Sequence, residues 1–346
     1  MTTETPLSRR RVLTILAASG LSLAGLSFGP GALRAGEPDT PLVRWEGDVL
    51  GTRACIILAH PEPAVARRMV EVCLAEIDRL DRVFSLYRAD SELARLNRDG
   101  RLEGPSQDFL CVIAASQAFG ALSEGAFDVS VQPLWRLYAD HFAAQGPSGP
   151  GPDPGAIRSV LGRVDFRAID ASARRVSLGR PGMALTLNGI AQGYIADRIA
   201  ELLRVAGAEH VLLDLGETRA VGGRPDGVPW QVAIRDPLAP SRDIAVWPLR
   251  NQAVASSGAY GYVFDDLGRY HHLFDPRTGC SAHDLAGVTV SAADALTADA
   301  LSTALAVAGP KSAPALLRAV PGTHALLVLP DGAQRTLPAG VSPRES

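Results

Sequence analysis

Three short segments carry residue types that could do chemistry together. In "TLNGIAQGYIADRIAELL" (186–203), Gly189 and Gly193 stand where an apolar run turns into an amphipathic helix. A helix N-terminus offers unpaired N–H groups and a partial positive charge that suit a phosphate, and glycine lets a ligand approach the backbone. Equally, such glycines serve a tight turn or close packing. In "LTADALSTALAVAG" (296–309), Asp299 and Thr303 are four residues apart and so share one helix face. Two hard oxygen donors at that spacing suit Mg²⁺, which often keeps substrate phosphate in its shell. The competing reading puts Asp299 in the first helical turn as a dipole partner, with Thr297 or Asp294 as the cap. In "HHLFDPRTGC" (271–280), adjacent histidines on a strand point to opposite faces, so at most one of His271 and His272 enters a site.

The surrounding elements must position these groups. "VRWEGDVLGTRACIILAH" reads as a hairpin around Gly51. Apolar residues at Val65, Met69, Val72, Cys73, Ile77 and Leu80 predict a helix over 64–82. Asp90 or Ser91 caps a short helix, and a further helix covers 107–123, ending at Gly125. "QGPSGPGPDPG" reads as a surface loop rather than a domain linker, followed by a short helix over 156–161 and strand pairs in "FRAIDASARRVSL". From about Ala191 a helix buries Ile195, Ile199, Leu202 and Leu203, with Asp197, Arg198, Glu201 and Arg204 pointing away. "HVLLDLGET" reads as one buried strand. "PWQVAIRDP", "IAVWPLRNQAVASSG" and "RYHHLFDP" add strands, and a helix over 297–307 and the strand "HALLVLP" close the fold. Without a regular βαβ alternation, the pattern predicts an α+β fold of mixed, largely antiparallel sheets packed with helices.

Composition narrows the function classes. The chain has 346 residues, 47% of them hydrophobic and 21% charged, with a net charge of −3, which argues against a nucleic-acid binder. Lys311 is the only lysine. "SRRRVLTILAASGLSLAGLSFG" places Arg9, Arg10 and Arg11 before a weakly apolar run, the pattern of a twin-arginine-type export signal, with cleavage near Ala35. Residues 1–35 carry +3, which leaves −6 on a mature chain of residues 36–346. That reading implies passage through twin-arginine export machinery to the periplasm. Cys55, Cys73, Cys111 and Cys280 form no C-x-x-C, and buried free thiols are expected for most of them.

As an ordered set, "LGT" (50–52), "FSLYRADSELARLN" (84–97), "FDVSVQPLW" (127–135), "LNGIAQGYIADR" (187–198), "HHLFDPRTG" (271–279) and "ADALSTAL" (298–305) resemble the ApbE-type FAD:protein FMN transferases. The stretch "LTLNGIAQGY" further resembles the NosX-like branch. The resemblance implies Mg²⁺-dependent transfer of the FMN moiety of FAD to a Thr or Ser hydroxyl of an acceptor protein, with AMP leaving. It implies Mg²⁺ held by Asp299, Thr303 and the main chain near Gly189. Flavin contacts are implied from Leu50, Tyr87, the turn Ala126–Phe127–Asp128, Thr186, Gln192, His272 and Leu273. Leu50 stands where Met is common, Thr186 where Asp is common, and Gln192 where Lys is common. His272 is the expected general base and Asp299 the residue without which turnover fails. The implied acceptor is an exported protein, a membrane-bound electron-transfer subunit. "SSGAYG" (256–261) approaches the family's acceptor motif, but Tyr260 takes the place of the hydroxyl residue, so self-modification is not expected. A flavin-binding assembly factor without transfer, and a hydrolase giving FMN and AMP, are the alternatives.

Overall fold

The computed structural model describes residues 40–49 and 51–338. The export signal and Leu50 therefore lie outside the described residues. Eight strands form one antiparallel sheet in the order β1 (Leu42–Val49), β2 (Thr52–Ala59), β6 (Val211–Asp214), β7 (Thr218–Val221), β10 (Ala253–Gly258), β11 (Gly287–Ala292), β12 (His324–Val328) and β13 (Gln334–Leu337). The first hairpin pairs Val49 with Thr52. Smaller sheets join β3 (Arg101–Glu103), β4 (Ile169–Ala171) and β5 (Arg175–Leu178), and β8 (Trp230–Asp236) with β9 (Ala239–Leu249).

Helices pack against the large sheet and against one another. They are α1 (Pro63–Phe84), α2 (Glu92–Asp99), α3 (Gln107–Leu122), α4 (Gln132–Gln145), α5 (Pro154–Leu161), α6 (Ala191–Val205), α7 (Ala295–Ala308) and α8 (Ala313–Ala319). The fold is α+β, as the mixed pattern predicts. Ala66, Val70, Cys73, Ile77, Leu80 and Phe84 form the buried stripe of α1 at helical spacing. Helix α7 is buried on nearly all sides, and its alanines let α6, β10 and β11 approach closely. No helix of the described residues is long and apolar enough to cross a membrane.

Four elements differ from the sequence reading. "HVLLDLGET" is not one strand: β6 turns through Leu215–Glu217 into β7, with Gly216 at φ 103°. "RYHHLFDP" is not a regular strand. Residues 259–286 make only isolated bridges, Val263 to His271 and Phe274 to Ser281, because aromatic packing of Trp135, Tyr138, Phe142, Phe264 and Phe274 substitutes for a ladder. Helix α7 starts at Ala295 with Asp294 as its cap (Thr297 N–H to Asp294 Oδ1, 2.7 Å), so Asp299 lies beyond the first turn. Asp197 does not point away: its carboxylate accepts N–H bonds from α7. Among the described residues no cysteine is bonded to another; Cys55 and Cys73 are buried, but Cys111 and Cys280 are exposed.

The segment "QGPSGPGPDPG" is a loop held to residues 266–270. Gly151 N–H donates to Tyr270 OH (3.0 Å), and Ser148 Oγ donates to Asp266 Oδ2 (2.9 Å).

Candidate active site

A cavity of about 430 Å³ opens between the N-termini of α6 and α4, the buried flank of α7 and the 259–286 segment. Its two ends are built differently.

At the inner end, α6 begins at Ile190 without a side-chain cap of its own. A carboxylate from another helix takes that role, as Gly193 N–H donates to Asp299 Oδ2 at 3.1 Å. Gly193 is required by packing, since a Cβ there would collide with the Ala295 carbonyl of α7. Gly189 answers to closeness as well: a Cβ built on it would stand 2.8 Å from Thr303 Oγ1. Neither glycine has a positive φ, so no left-handed turn explains them. Gly189, Asp299 and Thr303 thus line one cavity, with Gly189 against Thr303 and Asp299 on the Gly193 N–H.

A hydroxyl chain lines the same end. Ser257 Oγ lies 2.8 Å from Ser302 Oγ and 3.3 Å from Thr303 Oγ1, and Ser302 Oγ donates to the Asp299 carbonyl at 2.9 Å. Asp299 is only 3% exposed. Burial pushes its carboxyl up to about 7, against the pull of the Gly193 N–H and with a further push from Asp197. Glu217, in the β6–β7 turn, lines the cavity and is 8% exposed. Burial, then the charges of Asp299 and Asp214, hold its carboxyl well above the usual range, although Ser256 N–H donates to it.

The outer end is aromatic. Tyr87 is 51% exposed at the rim. Trp135 packs on Tyr262 with ring centroids 5.6 Å apart, and Phe127, Leu273 and Phe274 continue the wall. His272 faces the cavity, with Nδ1 3.1 Å from Tyr262 N and 3.3 Å from Tyr262 O. Burial lowers its pKa to about 4, leaving a neutral imidazole at neutral pH. His271 turns the other way into a fully buried position, so only one of the pair enters the site.

The remaining expected contacts divide. Tyr87, Phe127, Asp128, Thr186, Gln192, His272 and Leu273 all line the cavity, whereas Ala126 is buried and does not. Asp128 spends both oxygens on structure: Oδ1 accepts from Ser130 N (2.7 Å) and Ser130 Oγ (2.6 Å), and Oδ2 from Phe166 N (3.0 Å). Thr186 N–H donates to Val129 O (2.8 Å), tying the glycine stretch to the α4 entry. Gln192 lies over Gly216, where a Cβ would meet its Nε2 at 2.5 Å. The sequence reading missed Glu217, Ser257, Trp135 and Arg136. A glycine followed by an acid at the end of an apolar run was the one signal for Glu217.

Asp81, Asp128, Glu217 and Asp299 line the cavity, against Arg136 as the one cation among the described residues. No three His, Cys, Asp or Glu side chains converge on a closed metal site among those residues. The inner end instead offers the Asp299 and Glu217 carboxylates, hydroxyls and main-chain oxygen. That set suits a hard divalent cation completed by oxygens of a bound diphosphate, and two buried carboxylates without a paired cation would be stabilised by one.

The sequence model of the ApbE family matches residues 50–327. The FAD:protein FMN transferase of Treponema pallidum is 33% identical over 308 residues, covering 82% of this chain and 83% of that protein. The FAD:protein FMN transferase of Haemophilus influenzae is 32% identical over 290 residues, covering 80% and 84%. The crystal structure of the ApbE protein of Thermotoga maritima superposes with a TM-score of 0.75 at 30% identity, over 85% of this chain and 96% of that one. With the matched span running through every wall of the cavity, the chain belongs to the ApbE family.

Proposed function

We propose that this protein is an FAD:protein FMN transferase that moves the FMN moiety of FAD to a Ser or Thr hydroxyl of an acceptor protein, with AMP as the leaving group. The observation that carries this reading is the convergence of Gly189, Asp299 and Thr303 at the closed end of a cavity whose other end is aromatic. A dinucleotide has that polarity, with a diphosphate to be neutralised and a flavin ring to be packed. The names of the T. pallidum and H. influenzae relatives support it.

The chain's own groups divide the work. The N-terminus of α6 would turn its positive dipole end toward the diphosphate. Gln192 and Ser257 supply neutral hydrogen-bonding partners, and Asp299, Thr303 and the Gly189 main chain would hold Mg²⁺. Bound there, Mg²⁺ would neutralise charge as the anhydride breaks. Tyr87, Phe127 and Leu273 position the flavin. The acceptor hydroxyl attacks the FMN phosphorus in line with the departing AMP oxygen, and most of the rate comes from positioning and electrostatics. Neutral His272 is the proton acceptor for that hydroxyl.

Incubating the mature protein with FAD, Mg²⁺ and an acceptor domain tests the reading by mass spectrometry. Transfer gives AMP and an acceptor heavier by the FMN moiety. AMP without acceptor modification would instead make the protein a hydrolase, and neither product would make it a flavin-binding assembly factor. The arginines at 9–11 support export through a twin-arginine route to the periplasm, where an electron-transfer subunit anchored in the membrane is the acceptor. Replacing Arg9 and Arg10 by Lys should leave the protein in the cytoplasm; unchanged export would remove that assignment.

A further inference from the structure

Asp197 is absent from the cavity wall, yet it ties α6 and α7, which both contribute cavity groups, to β7, whose preceding residue Glu217 also lines the cavity. It sits on α6, one turn beyond Gly193. Its Oδ1 accepts the N–H of Ala295 (2.9 Å) and its Oδ2 that of Leu296 (2.8 Å), the first two residues of α7. Arg219 of β7 places Nε 3.0 Å from Asp197 Oδ1, and the two side chains are 17% and 22% exposed.

Helix α7 does not need this carboxylate as its cap, because Asp294 already accepts the third N–H of the helix. A cap from the same chain segment would serve helix stability alone. A carboxylate from a neighbouring helix that takes two consecutive N–H groups, one on each oxygen, restrains both rotation and sliding of α7 against α6. The close pass of Gly193 over Ala295 fixes the same joint from the main-chain side.

The joint matters because the cation donors are split across it. The Gly189 main chain precedes α6, and Asp299 and Thr303 belong to α7. Glu217 sits two residues before Arg219. We infer that Asp197 is a positioning residue that sets the separation of the two halves of the cation site, and so tunes divalent-cation affinity without touching cation or substrate. The inference rests on the Mg²⁺ reading given above.

Mn²⁺ serves as the probe, its binding to the protein–FAD complex read from the paramagnetic resonance of the free ion. Asp197→Asn keeps the size of the side chain but turns an NH₂ toward one of the two α7 N–H groups and loses the charge facing Arg219. Its Mn²⁺ affinity should fall by about tenfold or more, the usual cost of removing a partner behind a metal ligand. Metal-free flavin binding should be unchanged, and saturating Mn²⁺ should restore transfer. Arg219→Gln leaves both N–H bonds in place and should weaken Mn²⁺ by a smaller factor; it carries the test if Asp197→Asn does not fold. Asp299→Asn is the reference. If Asp299→Asn loses Mn²⁺ while the Asp197 and Arg219 variants bind as wild type, the joint is overturned and the cation site stands. If Asp299→Asn itself binds as wild type, the cation site and the joint fall together.

Discussion

The two ends of the cavity rest on different physics. At the inner end, main chain is held by close contacts: Gly193 against the Ala295 carbonyl, Gly189 against the Thr303 side chain, and N–H groups against the carboxylates of Asp299 and Asp197. At the outer end, rings lean on rings in a segment without a strand ladder. Backbone contacts of the first kind leave no room for a Cβ and fix distances. Ring packing of the second kind tolerates exchange of one apolar side chain for another of similar volume. A cation requires fixed distances, whereas a flavin ring requires only a flat apolar surface with a few polar partners.

Variants should expose this contrast in graded fashion. Asp299→Ala removes the sole carboxylate of the proposed cation set and should lower transfer by roughly 100-fold or more. Steady-state turnover at saturating FAD measures it, and retained activity would break the assignment. Gly193→Ala should come next, because the Ala295 carbonyl cannot yield without parting α6 from α7. Overpacking of that kind costs about 1–3 kcal/mol, visible as a lowered thermal midpoint with weakened Mg²⁺ activation.

The third effect is a pH dependence. Asp299 is raised from 3.8 to about 7, and Glu217 is raised also. Between those values the folded, metal-free protein holds protons that the unfolded chain releases, so these groups withdraw stability as pH rises. A bound cation takes the proton's place. The gain in thermal midpoint on adding Mg²⁺ should therefore grow as pH rises toward and past about 7. Lowered pKa values at His271 and His272 act in the opposite sense but are common to both samples, so they drop out of the difference. A gain that is flat with pH would separate Asp299 from the cation. The smallest effect belongs to the rim: Tyr87→Ala, at a half-exposed position, should raise the KM for FAD while leaving the thermal midpoint in place.

Much of this was legible in the residues. Periodicity located α1, α3 and α6 because each buries residues at helical spacing, and the Asp299–Thr303 interval fixed a shared face of α7. What stayed hidden depends on contacts distant in sequence. Asp197 looked like a solvent-facing charge because its partners lie 98 and 99 residues away. Glu217 was hidden inside an apparent strand that in fact turns at Gly216. "RYHHLFDP" (269–276) read as a strand, but the aromatic cluster beneath it replaces a regular ladder.

The hydroxyl chain has one more consequence. An enzyme that esterifies alcohols must leave its own alone, and Ser257 and Thr303 line the cavity with Ser302 buried behind them. Each is already engaged with a neighbour, and the segment 256–260 that imitates an acceptor is locked as sheet and wall with a phenol in the decisive place. The catalyst should therefore resist its own reagent, its mass staying constant however long it is held with FAD.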